Sequence, residues 1–305
     1  MKIGLFYGGS PEVAAHVQAA VDAENDGLDG MWYPQIVGAE PLTVIAMAGQ
    51  KTSRIEFGTS VVPVYTRHPT IMAQQALTAQ AATGGRFSLG LGLSHGMVVE
   101  NMWGLSYDRP AVYMREYLNV LQPLLEQGSV SFSGEMFRVN AQVAVPTPAP
   151  PPVLIAALAP VMLKMAGERT AGTITWMVGR KTLESHIVPR INKAAADAGR
   201  PQPRVVVALP VCVHDDAEEA RQRAAGNFAV YGSLPNYQRV LNIEGAEGPK
   251  DVVVTGNEQQ VEQQLRDLAS AGATDFAGAM FPVGGDAHAS LARTLDLLKS
   301  LAGKV

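Results

Sequence analysis

Short apolar runs alternate along the chain with longer segments in which apolar residues recur three or four positions apart. Residues 2–7, 30–35, 55–63, 86–93, 153–158, 173–178, 205–213 and 275–282 read as strands. Continuous apolar stretches bounded by turn residues suit strands buried on both faces. The segments between them, such as VEQQLRDLASAG at 261–272, read as amphipathic helices. Several of these close on a glycine just before the next strand, as in NDGLDGMWY (25–33), ATGGRFSLGL (82–91) and ASAGATDFAGAMF (269–281). Glycine takes the left-handed conformation at a helix C-terminus without steric cost. Strands alternating with helices imply parallel strands joined by right-handed crossovers. Eight such units predict an α/β fold, a (β/α)8 TIM barrel formed by residues 1–305 as a single domain, with an open doubly wound sheet as the alternative.

Two segments break the rhythm. SVSFSGEMFRVNAQVAVPTPAPPP (129–152) predicts a small hairpin around Ser133-Gly134 and then a proline-rich connector, an insertion after the fourth helix. Residues 227–256, after the seventh strand, contain YGSLPNYQRVLNIEGAEG, whose Gly and Pro content argues against one continuous helix. Long connections of this kind are either surface padding or the lids and walls of a site.

In a barrel the chemistry sits at the C-terminal ends of the strands. Those ends carry Tyr7-Gly8-Gly9-Ser10, Tyr33-Pro34-Gln35, Ser60 to Pro63 with Tyr65-Thr66-Arg67-His68, Ser94-His95, Ala157 to Pro160, Met177 to Lys181, His214-Asp215-Asp216 and Phe281 to Asp286. No HxH or HExxH occurs, no His and carboxylate set has metal-ligand spacing, and no metal is expected. There is no GxSxG elbow and no P-loop, GLGLSHG does not match GxGxxG, and Cys212 lies inside an apolar strand pattern. A mouth of aromatics and small residues without metal or nucleophile suits an organic cofactor that carries the chemistry itself. ALAPVMLKMAG (157–167) starts a helix with Pro after small residues, and MVGRKTLESH (177–186) sets Arg180 and Lys181 beside another helix start. Free N–H groups and a guanidinium there would suit a phosphate. Ordinary capping and a solvated charge pair are the plainer alternative.

Composition narrows the class. Charged residues are 17% of the chain, against about 25% in typical domains. The net charge of −4 gives no global case for nucleic acid or an anionic membrane. No apolar run reaches the length of about 18 residues that a membrane span needs. MKIGLFYGG is too short for a signal peptide, and the single Cys212 cannot form an internal disulfide. A cytoplasmic protein is expected.

The combination MKIGLFYG, DGLDGMWYPQ, RIEFGTSVVP, RHPTIMAQQALTAQAATGGRFSLGLGLSH and AGATDFAGAMF resembles the luciferase-like flavin and deazaflavin oxidoreductases, and within them the branch that uses coenzyme F420. The resemblance runs from Met1 to about Pro282. It implies a barrel with the cofactor ring at the strand C-termini and a non-proline cis peptide at Ser60–Val61. It implies a ring faced by Gln35, Ser60, Val61, Gly92, Leu93, Ser94 and His95, and a phosphate held by Ala157, Leu158, Ala159, Met177, Val178, Gly179 and Arg180. His95 falls where the family carries an acid or base, its plainer role being to cap the next helix or bind a backbone carbonyl, and His68 is a second candidate whose plainer role is to start a helix. Many deazaflavin members end the second strand with Asp-His, where this chain has Gln35-Ile36. Gln hydrogen-bonds a ring or substrate but transfers no proton. The implied activity is hydride transfer between F420 and a small organic substrate, with an activated C=C, C=N or C=O bond or the corresponding alcohol. The alternatives are an FMN-dependent monooxygenase and a carrier that binds F420 without chemistry. Residues 41–50 and 69–82 are poor in charge, and the resemblance implies a homodimer through this region.

Overall fold

The computed structural model describes residues 1–8, 10–35 and 37–305, so Gly9 and Ile36 lie outside the described residues. Its strands are β1 (Lys2–Phe6), β2 (Gly30–Tyr33), β3 (Glu56–Thr59), β4 (Val62–Pro63), β5 (Phe87–Gly92), β6 (Ser129–Ser133), β7 (Arg138–Gln142), β8 (Val153–Ala156), β9 (Gly172–Trp176), β10 (Arg204–Val213), β11 (Val254–Gly256) and β12 (Asp275–Met280). Apart from the β6–β7 hairpin, the pairings are parallel and helices separate the main strands. The strand order is that of a (β/α)8 barrel, the class expected from the alternating pattern.

The chain divides into two compact units: Met1–Tyr7 with Asp22–Trp32 and Ala157–Val305, and Gly8–Val21 with Tyr33–Ala156. In the first, β9, β10, β12, β1 and β2 lie side by side in that order, with β11 against the end of β10. β10, RVVVALPVCV, is buried at nine consecutive positions, which only a strand covered on both faces permits. Glycine lets β1 and β2 close up, because a Cβ on Gly4 would overlap the Gly30 carbonyl. At the opposite end from the site, Arg204 pairs with the buried carboxylate of Asp275 through Nε at 2.8 Å and lies over the Trp32 ring.

In the second unit β3, β5 and β8 are neighbours, and β4 pairs with the end of β5. The single strand expected over 55–63 is therefore two pieces, which meet at Ser60–Val61. The expected hairpin is present as β6 and β7, antiparallel from Ser129↔Gln142 to Ser133↔Arg138. Its turn is pinned by Glu116, a buried residue of the helix Pro110–Gln127. The Glu116 carboxylate accepts from the backbone N–H of Glu135 (3.0 Å), Met136 (2.7 Å) and Phe137 (3.2 Å). Gly134 is needed there, since a Cβ would overlap that carboxylate.

Burial alone would raise the Glu116 carboxyl, but the three N–H donors outweigh it and hold it below the ordinary 4.5. A depressed carboxyl contributes stability that is full above its unfolded value and is lost as pH falls through the folded one. Glu116→Ala is expected to cost about 1–3 kcal/mol at pH 7. That cost should shrink as pH falls below about 4.5, measured by urea unfolding across the range. An equal cost at pH 7 and pH 3 would contradict the role given to the charge.

Candidate active site

The second unit gathers the residues expected to face the ring. β2 ends in Tyr33, whose hydroxyl donates to the His16 carbonyl at 2.9 Å, and then Pro34-Gln35. Ser60 N donates to the Tyr33 carbonyl at 2.8 Å, which ties the end of β3 to the end of β2. The Ser60–Val61 peptide is cis, as the resemblance implies. Val61 then leans over Gly92, where a Cβ would overlap Val61 Cγ2, so glycine at the end of β5 makes room for that side chain. Thr59 Oγ1 donates to the Gly90 carbonyl and accepts from Gly90 N, locking the two strands beneath the site. Every residue of β5 is buried, and the chain emerges at Leu93 through Ser94, which has φ 56°, to His95.

His95 begins the helix Gly96–Asn101, but its side chain does not cap it. The plain capping role is thereby removed. The imidazole is half-buried, and desolvation lowers its pKa below 6.5, so it is mainly neutral at pH 7. His68, by contrast, is a cap: Nδ1 accepts from Thr70 N at 3.3 Å at the start of Pro69–Ala82. Beside His95 the Tyr107 hydroxyl donates to the Ser94 carbonyl at 3.4 Å. The Tyr107 ring lies 5.6 Å from Tyr65, which stacks on Tyr113 at 4.3 Å. These tyrosines form an aromatic wall that no motif announced.

The first unit holds the residues expected to bind the phosphate. Ala157 is buried, and the Leu158 carbonyl is taken by His186 Nε2 at 2.8 Å. Ala159 starts the helix Pro160–Arg169 without any side-chain cap, leaving its first N–H groups to a ligand or solvent. At the end of β9, Met177 has φ 55° and is buried with Val178. The helix start after Gly179 is different. The Glu244 carboxylate accepts from Lys181 N at 3.1 Å and Thr182 N at 2.8 Å, and Gly179 has no room for a Cβ beside it. Arg180 is half-exposed and bonded to Asp267 at 3.0 Å, with Glu184 at 4.0 Å. Of the two anion sites read from the sequence, the Ala159 helix start is chemically open and the Gly179 start carries an internal carboxylate.

The insertion after β10 supplies a second aromatic wall. Trp176 stacks on Phe6 at 5.0 Å and meets Phe228 and Tyr231 edge-on at 6.0 and 5.6 Å. Tyr231 in turn packs edge-on against Tyr237 at 5.1 Å. The short helices Ala229–Ser233 and Pro235–Glu244 hold Tyr231 and Tyr237, so this insertion packs an aromatic cluster against the end of β9. Among the described residues no three His, Cys, Asp or Glu side chains are placed to hold a metal ion, and no helix is long and apolar enough to cross a membrane. Burial pushes the Cys212 thiol up, away from nucleophilic use.

Residues 2–289 match the family model described as luciferase-like monooxygenase. The chain belongs to this family. It is 30% identical over 249 residues to an uncharacterized protein of Mycobacterium tuberculosis (strain ATCC 25618 / H37Rv), covering 77% of this chain and 73% of that one. It is 29% identical over 234 residues to the 5,10-methylenetetrahydromethanopterin reductase of Methanolobus tindarius, covering 75% and 70%. Among solved structures, the coenzyme F420 dependent tetrahydromethanopterin reductase of Methanopyrus kandleri superimposes with a TM-score of 0.82 at 22% identity, covering 98% of this chain and 97% of that one. That likeness shows a shared fold, the luciferase-like (β/α)8 barrel.

Proposed function

We propose that this luciferase-like chain is a cytoplasmic, homodimeric oxidoreductase that uses coenzyme F420 to move hydride to or from a small organic substrate. The substrate carries an activated C=C, C=N or C=O bond, or is the corresponding alcohol. The relative from Methanolobus tindarius is a reductase, and the structural neighbour from Methanopyrus kandleri is F420 dependent, which supports this choice. The observation that carries it is His95: an imidazole just past the end of a wholly buried strand, making no cap bond to the helix it begins and with its pKa lowered by burial. When bound, the deazaflavin supplies the two-electron hydride chemistry.

Residues assigned to the ring are Ser60, Val61, Gly92, Leu93, Ser94 and His95, with Gln35 beside them. Those assigned to the phosphate are Ala157, Leu158 and Ala159, with Met177 and Val178, while Gly179 lies against the Glu244 carboxylate. Small side chains and an uncapped helix start fit an anion there. Arg180, turned to Asp267, serves as a peripheral charge. The competing reading, an FMN-dependent monooxygenase, draws on the description of the matching family model.

His95 holds or releases the proton that accompanies hydride. In reduction the imidazolium is the donor, so the rate should rise as pH falls through a midpoint below 6.5. In alcohol oxidation the neutral imidazole is the base, and the rate should stay level down to that same midpoint. His95→Ala should leave F420 affinity within a few-fold and lower turnover about 10²–10⁴-fold. Unchanged turnover, or a pH profile indifferent to the substitution, would remove His95 from the mechanism.

The homodimer is assigned to the helices Pro41–Gly49 and Pro69–Ala82, which have no charged residue and leave Met47 and Ile71 48% and 47% exposed. Sedimentation equilibrium should give a dimer at micromolar concentration, and a monomer there would contradict this face.

A further inference from the structure

Arg67 is held on two sides. Its Nη1 donates to Gln35 Oε1 at 2.7 Å and its Nη2 to Glu40 Oε1 at 2.9 Å, with only 12% of the side chain exposed. Glu40 is fixed in turn, since it caps Pro41–Gly49 by accepting from Leu42 N (3.0 Å) and Thr43 N (2.8 Å). The backbone of Arg67 is tied as well, its carbonyl accepting from the buried Tyr117 hydroxyl at 3.1 Å. Arginine has donors and no acceptor. The Gln35 amide must therefore turn its oxygen to Arg67, because the flipped amide would set N–H against N–H. Its NH2 group then points away from Arg67. Among the described residues no hydrogen bond engages Gln35 Nε2, and that atom is not among the buried, unpartnered ones. The half-buried side chain thus offers two N–H donors at the end of β2.

We infer that Arg67 is a positioning residue that locks the Gln35 carboxamide, and that the end of β2 accordingly offers N–H donors to an oxygen of the substrate, the carbonyl of a ketone or enone. This rests on the oxidoreductase reading above. An Asp or His at this place would carry a proton, whereas a locked glutamine can only stabilise charge. The bound deazaflavin would supply hydride to the carbonyl carbon, or to the β carbon of an enone, and the displaced π pair would come to rest on oxygen. The Gln35 N–H groups stabilise that oxyanion, and the proton follows from protonated His95.

The test uses the full chain, ¹⁵N-labelled, with the Gln35 side-chain amide pair assigned by its loss in Gln35→Leu. In F420-loaded protein, 2-cyclohexen-1-one should shift this pair and cyclohexene, which has no oxygen, should not at the same concentration. In Arg67→Met, or Arg67→Lys if the first variant does not fold, the pair should move towards the position of a freely solvated glutamine already without ligand. Gln35→Glu still accepts from Arg67 but has no donors; 2-cyclohexen-1-one should bind it at least about tenfold more weakly than the parent. No response to the ketone, equal responses to ketone and cyclohexene, or an unmoved pair in the Arg67 variants would overturn the inference. F420 fluorescence titrated on the same samples separates the two claims. Absent cofactor binding with an Arg67-dependent amide would remove the deazaflavin reading and leave the lock standing.

Discussion

A parallel strand covered on both faces has no place along its length for an unpaired polar side chain. That one constraint arranges most of this molecule. β10 runs through nine buried positions and β5 through six, and the Thr59 hydroxyl that enters beside β5 is tied to Gly90. Chemistry is thereby pushed to where the strands stop. His95 stands two residues beyond Leu93, Gln35 two beyond Tyr33, and Trp176 closes β9.

Charge is treated at these ends as sparingly as the composition suggests. Arg67 is nearly buried, and a cation there survives only with Glu40 and the Gln35 carbonyl on its guanidinium. Glu116 is buried and has three backbone donors. Glu244 takes the two N–H groups that open the helix after Gly179. In each case the ion fixes a local shape, respectively a glutamine orientation, a hairpin turn and a helix start. His95 is different: burial lowers its pKa below the ordinary 6.5, so the imidazole is mainly neutral at pH 7.

The strands were legible because continuous apolar runs of β-branched residues between glycines admit few other readings. Boundaries shifted where local geometry intervened. The third expected strand breaks at Ser60–Val61, and Met177 with φ 55° stops β9 at Trp176. The short strand Val254–Gly256 was hidden in a segment read as an insertion, since three residues carry no periodicity. His95 and Gln35 could be named from their positions at strand ends. Their environments could not. Arg67 reaches Gln35 across 32 residues and Glu244 reaches Lys181 across 63, and pairings at such separation leave no local pattern. For the same reason Arg180 read as a free anchor, although its carboxylate partner Asp267 lies 87 residues away.

The family frames the outcome without choosing the cofactor, so the account turns on which ring the chain takes. Equilibrium titration of the purified protein with F420 and, separately, with FMN, followed by each cofactor's fluorescence, decides this directly. Saturable binding of F420 at micromolar or lower concentration, with FMN bound at least about tenfold more weakly, is the predicted result. Tight binding of FMN with no response to F420 would contradict it.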